Sequence, residues 1–425
     1  MFFQQLYNMV DSMIVGRYVG ENALAAVGVS FPVLMIFMAI AVGINIGASV
    51  IISQYYGATK YRRVKTAALT AIISMTVISL LLMAIGLLGS KQVLIWLNTP
   101  SEVFTDGEIY LRITILGLLF LFLYNIATGV FAALGDSKTP LYLLICSSLS
   151  NIALDIFMVK TLNMGVAGAA WATFICQGLA SISAMVILLR RLWKLEPRRV
   201  QFFSGSMLKR IAKVAIPSVL QQSFISVGNL IIQGLVNSYG PDVMAAYSAA
   251  IKLNTFSVMT LTTVANGVSG FAAQNKGAGN IERIHQGFKN AIVMALIMAS
   301  FFIVLYGVFT SAAMSIFLPE NNHNPAVMSE GIRFLRLIAP FYAVVVFKLI
   351  PDGVMRGTGA MRAFMISTFT DLILRVVLSF VFSKGLSLGS FGIWLSWPVG
   401  WTMGMIVAMW FYKRGQWEKV DMIRE

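Results

Sequence analysis

The sequence is poor in the residues that carry most enzymatic chemistry: of 425 residues, two are cysteine and two are histidine. Cys146 and Cys176 both fall inside apolar runs, where a thiol reads as a small buried hydrophobe rather than half of a structural disulfide. His285 and His323 fall in expected loops. No zinc, haem or phosphate-loop spacing occurs, nor a nucleophile with a recognisable base, so the expectation is a protein that is not an enzyme and needs no cofactor. Charge is scarce too, at 12% against 58% hydrophobic residues, with a mean hydropathy of +0.80. Soluble domains carry about 25% charged and roughly 45–50% apolar residues. That contrast excludes a soluble domain and predicts an all-α, multi-pass membrane protein.

Acidic residues are the rarer charge, 17 against 32 basic ones, a net +15. Their positions argue against a nucleic-acid footprint. Lys60 to Lys65, Arg190 to Lys213 and Lys413 to Arg424 alone hold half of the basic residues, while the alternate segments hold only Arg17, Lys91, Arg112, Lys160, Arg333, Arg336 and Lys384. By the positive-inside rule this asymmetry predicts both termini in the cytoplasm. No basic leader of a cleavable signal peptide is visible.

What is abundant is long apolar sequence. A span needs roughly 17–25 residues, and twelve stretches qualify: 3–19, 31–55, 66–88, 110–134, 141–159, 165–189, 211–239, 244–273, 291–314, 334–355, 361–382 and 391–412. They fall into two halves that repeat each other. Residues 23–58 align on 243–278 with a shift of 220, carrying Ala25-Ala26, Gly47, Gln54 and Gly57-Ala58 onto Ala245-Ala246, Gly267, Gln274 and Gly277-Ala278. Further on, a shift of 224 carries Gly129, Gly135, Gly165 and Gly168 onto Gly353, Gly359, Gly389 and Gly392. Expected domains are an N-lobe of six spans (1–190), a cytoplasmic linker (191–206) and a C-lobe of six spans (207–425). The residues equivalent to 207–217 would precede Met1, so the first span reads as shortened at its start. Repeated bundles are a common build for carriers, in which a central site faces either side as one bundle rocks against the other.

Ionisable residues inside a span cost at least about 2.5–3.5 kcal/mol and are functional candidates by default. Seven occur: Asp11, Asp155, Lys252, Lys348, Asp352, Asp371 and Arg375. Asn151 lies one helical turn before Asp155, on the same face. A carboxylate with an amide oxygen suits a hard cation such as Na⁺, whereas a carboxylate in an apolar wall suits a proton because desolvation disfavours its charge; the spacing admits either. Asp11 and Thr173 fall at a comparable depth. The rival reading for Asp155 with Asn151 is a static interhelical hydrogen bond, and Thr often packs between helices without further duty. In the second half, Lys348 with Asp352 and Asp371 with Arg375 are spaced to neutralise each other, and Lys252 faces a polar cavity or a partner on another helix. Lys252, Asp371 and Arg375 together are a weaker candidate for a C-lobe polar site.

These marks together resemble a family, the multidrug and toxic compound extrusion (MATE) transporters, near a bacterial DinF-like branch. The resemblance is carried over the whole chain by Tyr7-Asn8-Met9-Val10-Asp11, Val15-Gly16-Arg17, Ala25-Ala26-Val27-Gly28, Gln54-x-x-Gly57-Ala58, Leu134-Gly135-Asp136-Ser137-Lys138-Thr139-Pro140, Asn151-x-x-Leu154-Asp155 and Gln274-Asn275-x-Gly277-Ala278-Gly279. It implies twelve helices in two six-helix lobes forming a V, and export of organic, often cationic, small molecules in exchange for Na⁺ or H⁺. It further implies a cation site at Asp11, Asn125, Asn151, Asp155 and Thr173, with Na⁺ or a proton at the two carboxylates, and a monomer in contact with the lipids of a bacterial plasma (inner) membrane. Two departures stand out. The family's bending proline of the first helix would precede Met1, and the seventh span has no glutamate on which to build a C-lobe cation site. A lipid-linked oligosaccharide or other lipid flippase of the same superfamily is the alternative, disfavoured by having only Lys252, Lys348 and Arg375 as basic residues within the spans.

Overall fold

A computed structural model describes residues 14–16, 18–97, 99–195, 200–315 and 324–423, the side chains of Glu21 and Asn22 excepted. The regular elements among the described residues are all helical, without a strand. Eleven of the twelve apolar stretches lie on helices. Most of the first, 3–19, falls outside the described residues. Among the described residues nine helices are long and apolar enough to cross a membrane, or ten with one bent pair taken as a single span.

In chain order the elements are α1 (Glu21–Gly57), α2 (Tyr61–Trp96), α3 (Ser101–Leu116), α4 (Leu118–Ala133), α5 (Lys138–Asp155), α6 (Gly165–Lys194), α7 (Gly205–Asn237), α8 (Pro241–Gly277), α9 (Ile281–Val308), α10 (Thr310–Ser315), α11 (Pro325–Ile338), α12 (Tyr342–Thr358), α13 (Met361–Phe380), α14 (Ser390–Lys413) and α15 (Gln416–Lys419). Many overrun their apolar stretch at one or both ends, because backbone hydrogen bonding continues past the point where the side chains stop being apolar. His285, expected in a loop, accordingly sits in the first turns of α9.

The chain divides into two compact units, Met1–Val219 and Leu220–Glu425. Within the first, α1 packs on α2, α3 and α4, and α6 packs on α4 and α5. Gly47 of α1 lets the start of α7 close in: a Cβ there would stand 2.6 Å from the Ala215 side chain and backbone. Within the second, α12 packs on α8 and α14, and α13 on α14. Its core is aromatic, with Tyr247 stacked on Trp394 at 5.5 Å and Trp397 edge-on to Trp401 at 5.7 Å.

Each unit repeats the other's local geometry at the spacing seen in the sequence. Left-handed or otherwise positive φ values recur at Gly20 and Gly240, Gly135 and Gly359, Asn163 and Ser387, and Gly165 and Gly389. Both units break a span at the same place. The first does so at Gly117, with 44° between α3 and α4, and the second at the 3₁₀ turn Ala339–Phe341 containing Pro340. Both end the fifth span of their half in a π-helical segment, Ile156–Thr161 after α5 and Val381–Gly385 after α13. Such wide turns recur at functional positions.

Helix ends carry their own chemistry. Asp136 accepts from the backbone N–H groups of Lys138 at 3.0 Å and Thr139 at 3.1 Å, satisfying donors that α5 leaves open. Thr139 adds a hydroxyl bond at 2.7 Å, and Arg191, at the end of α6, pairs with the same carboxylate. Burial pushes the Asp136 carboxyl up, but the Thr139 hydrogen bonds and the Arg191 guanidinium outweigh it and hold the group below the usual carboxylate range.

Candidate functional site

The polar site of the first unit is built where α5 meets α6. Asn151 and Asp155 lie one turn apart on α5, immediately before the π-helical segment, and Thr173 projects from α6. Asp155 is completely buried and Asn151 nearly so, at 2% exposure. The amide orientation that satisfies its surroundings has Asn151 donating to Asp155 Oδ2 at 2.8 Å, while its oxygen accepts from the Thr173 backbone N–H at 3.2 Å. The Thr173 hydroxyl stands 3.5 Å from the same amide.

Three of the five sequence-identified residues are therefore brought together. Asn125 is half-buried on α4 and gives its amide to the Leu121 carbonyl of its own helix at 2.9 Å. Asp11 lies outside the described residues. What the trio offers is a buried carboxylate held by an amide N–H, with a hydroxyl beside that amide, a setting that suits a proton on the carboxylate and, with the amide turned over to present its oxygen, a hard cation. Among the described residues no group of three or more His, Cys, Asp or Glu side chains is arranged to hold a metal ion.

The second unit holds a different arrangement. Lys348 of α12 bridges two carboxylates, Asp352 Oδ2 at 3.2 Å and Asp371 Oδ2 at 3.5 Å, all three nearly devoid of exposure. The spacing of Asp371 and Arg375 predicts their mutual neutralisation; instead Asp371 turns across to Lys348 on the neighbouring helix, and the Arg375 guanidinium lies 4.3 Å over the Trp397 ring. Interhelical reach has overridden the intrahelical i, i+4 pair. Lys252, grouped with these two in the sequence, is exposed on α8. Arg356, not singled out from the sequence, is buried and donates to Asn266 Oδ1 at 2.5 Å and Ser269 Oγ at 3.3 Å. The only hint of it was a basic residue at the end of an apolar run. Gly400 and Gly404 of α14 make room for the cluster: a Cβ on Gly404 would lie 2.9 Å from Asp371 Cβ and 3.0 Å from Lys348 Cε. Of the two thiols, Cys176 is buried as expected, whereas Cys146 is exposed on α5.

Comparison with known proteins agrees in family and fold. The MatE family model matches residues 1–157 and 217–381. The probable multidrug resistance protein YpnP of Bacillus subtilis (strain 168) is 29% identical over 428 residues, covering 99% of this chain and 94% of that protein. The probable multidrug resistance protein NorM of Thermotoga maritima is 23% identical over 422 residues, covering 98% and 90%. A solved multidrug resistance MATE family transporter in an outward-facing conformation superposes with a TM-score of 0.91 at 22% identity, covering 99% of this chain and 94% of its own. With a family model matched across most of both halves, this chain belongs to the MatE family of multidrug and toxic compound extrusion transporters.

Proposed function

We propose that the chain is a cation-coupled antiporter that exports organic, often cationic, compounds by alternating access, with Na⁺ or H⁺ as the coupling ion. The observation that carries this reading is Asp155, a completely buried carboxylate held by Asn151 beside Thr173. A buried charge that merely braced two helices would be replaceable at a gain in stability; a carboxylate that must alternately hold and release an ion would not. Asp11, from the first span, is the proposed second acidic ligand, and Asn125 a further member of the set. The two lobes, 1–190 and 207–425, would rock about the linker 191–206 as a monomer, with both termini on the cytoplasmic side of a bacterial inner membrane. No cofactor or catalytic step enters the cycle.

Coupling requires that the ion prefer one state over the other, because a ligand shifts an equilibrium only by its differential affinity. Binding at Asp155 from outside would favour the state that releases the exported compound, and release of the ion inward would reset the carrier. The test is dye efflux from proteoliposomes under separately imposed Na⁺ and pH gradients, comparing the native chain with Asp155→Asn. Export driven by one gradient and lost in the variant is expected. Undiminished export by a well-folded Asp155→Asn protein would overturn the assignment.

A further inference from the structure

The repeat that relates the two units also relates their polar sites. A shift of 224 carries Asn151, Asp155 and Thr173 onto Arg375, Ser379 and Trp397. The register is independently supported by the geometry. A Cβ on Gly168 would meet the Met158 carbonyl group at 3.2 Å, and one on the equivalent Gly392 would meet that of Phe382 at 2.5 Å. At the position where the first unit has a carboxylate with an amide and a hydroxyl, the second has a guanidinium, a hydroxyl and an indole. Acceptors have been exchanged for donors, and the sign of the fixed charge is reversed.

These donors are buried and unsatisfied. Arg375 is 6% exposed and Trp397 4%, and neither Arg375 Nε nor Trp397 Nε1 has a hydrogen-bond partner among the described residues. No carboxylate comes within ion-pair distance of Arg375 among the described residues: Asp371 turns its Oδ2 to Lys348 at 3.5 Å, and its buried Oδ1 meets no donor there. Ser379 is occupied elsewhere, bonding the Arg375 carbonyl at 2.7 Å and Ser396 Oγ at 2.8 Å. The charge balance points the same way. Buried Lys348, Arg356 and Arg375 face only buried Asp352 and Asp371, an excess of one positive charge in the described part of this unit. Arg356 bonds to neutral side chains, so the excess is not neutralised there. Buried donors without acceptors call for a bound water or ion, and an uncompensated cation inside a span favours an anion.

We propose that Arg375 and Trp397 form a binding site for a monovalent anionic group, the polarity-inverted counterpart of the cation site in the first unit. The guanidinium supplies the charge and its Nε–H one donor; the indole supplies a second donor while its ring face holds the guanidinium in place, as tryptophan rings do for arginine generally. The anionic group comes either from an inorganic ion such as chloride or from the carboxylate of an organic compound.

The experiment is equilibrium binding to the full-length protein in detergent, with divalent sulfate as the background anion, using radiolabelled chloride in one arm and radiolabelled benzoate in the other. No ion gradient is imposed, so its failure leaves the antiport reading untouched. The variants are Trp397→Phe, which keeps an aromatic face and loses only the N–H donor, and Arg375→Gln. Saturable binding, weakened about tenfold or more in both variants as expected for loss of a charge-assisted hydrogen bond, supports the proposal; the arm in which it occurs names the source. Absence of saturable binding in both arms overturns it, leaving water on the two donors. So does binding that Trp397→Phe leaves unchanged.

Discussion

Asn151 is the residue whose removal separates bracing from ion handling. It donates to the carboxylate that the proposed cycle uses, so Asn151→Ala is expected to leave the fold intact and to raise the coupling-ion concentration that half-saturates efflux, with the maximal rate less affected. Efflux rate against ion concentration in proteoliposomes checks this, and an unchanged half-saturation would reduce Asn151 to packing. Asp155 and its partner were legible from the i, i+4 spacing alone, because a polar pair set one turn apart in an apolar run stands out against every neighbour. The Lys348 bridge was not, since sequence spacing reports neighbours along one helix and Asp371 lies on another. Arg375 was found as a charge, but its environment depended on which face of α14 presents Trp397.

At the scale of elements, two helix junctions make opposite demands. Gly392 sits against the backbone of the π-helical turn, where a Cβ would come within 2.5 Å of the Phe382 carbonyl carbon. Gly392→Ala is therefore expected to cost about 1–3 kcal/mol through overpacking against main chain that cannot rotate away, read as a lowered midpoint in thermal unfolding. At the α4–α5 junction the demand is electrostatic. Because the Asp136 carboxyl is held below its ordinary value of 3.8 in the folded protein, its contribution to stability is complete above that value. It fades as pH falls through the lower, folded value. Melting temperatures followed from about pH 5 to pH 3 should fall more steeply for the native chain than for Asp136→Ala, which should already be less stable at neutral pH by about 1 kcal/mol for the lost cap. Helix existence was readable from apolar length. The π-helical ends and the 44° bend at Gly117 were not, being set by close packing that leaves only an uninformative glycine or a break in the apolar run as its trace.

For the whole molecule, sequence repetition proved the most durable signal: shifts of 220 and 224 found from a handful of glycines reappear as matched positive-φ turns, matched span breaks and matched π-helical ends. Backbone conformation is shared between halves where side-chain chemistry is not. Orientation in the bilayer belongs to this scale as well. With Cys146 and Cys176 replaced by serine and alanine, Lys413→Cys at the end of α14 should label with an impermeant maleimide only from the cytoplasmic side, and Lys384→Cys only from the opposite side. The reverse pattern would invert the topology read from the basic residues. Finally, the aromatic core of the second unit gives the molecule an optical asymmetry. Trp394, Trp397, Trp401, Trp410 and Trp417 all lie in Leu220–Glu425, leaving three of the eight tryptophans to the first unit. Intrinsic emission and near-ultraviolet circular dichroism therefore watch mainly one half of the carrier, with the edge-on pair Trp397 and Trp401 close enough for their transitions to couple. A spectrum that stays still while the compound is exported would argue that the surroundings of those five indoles do not change during the cycle.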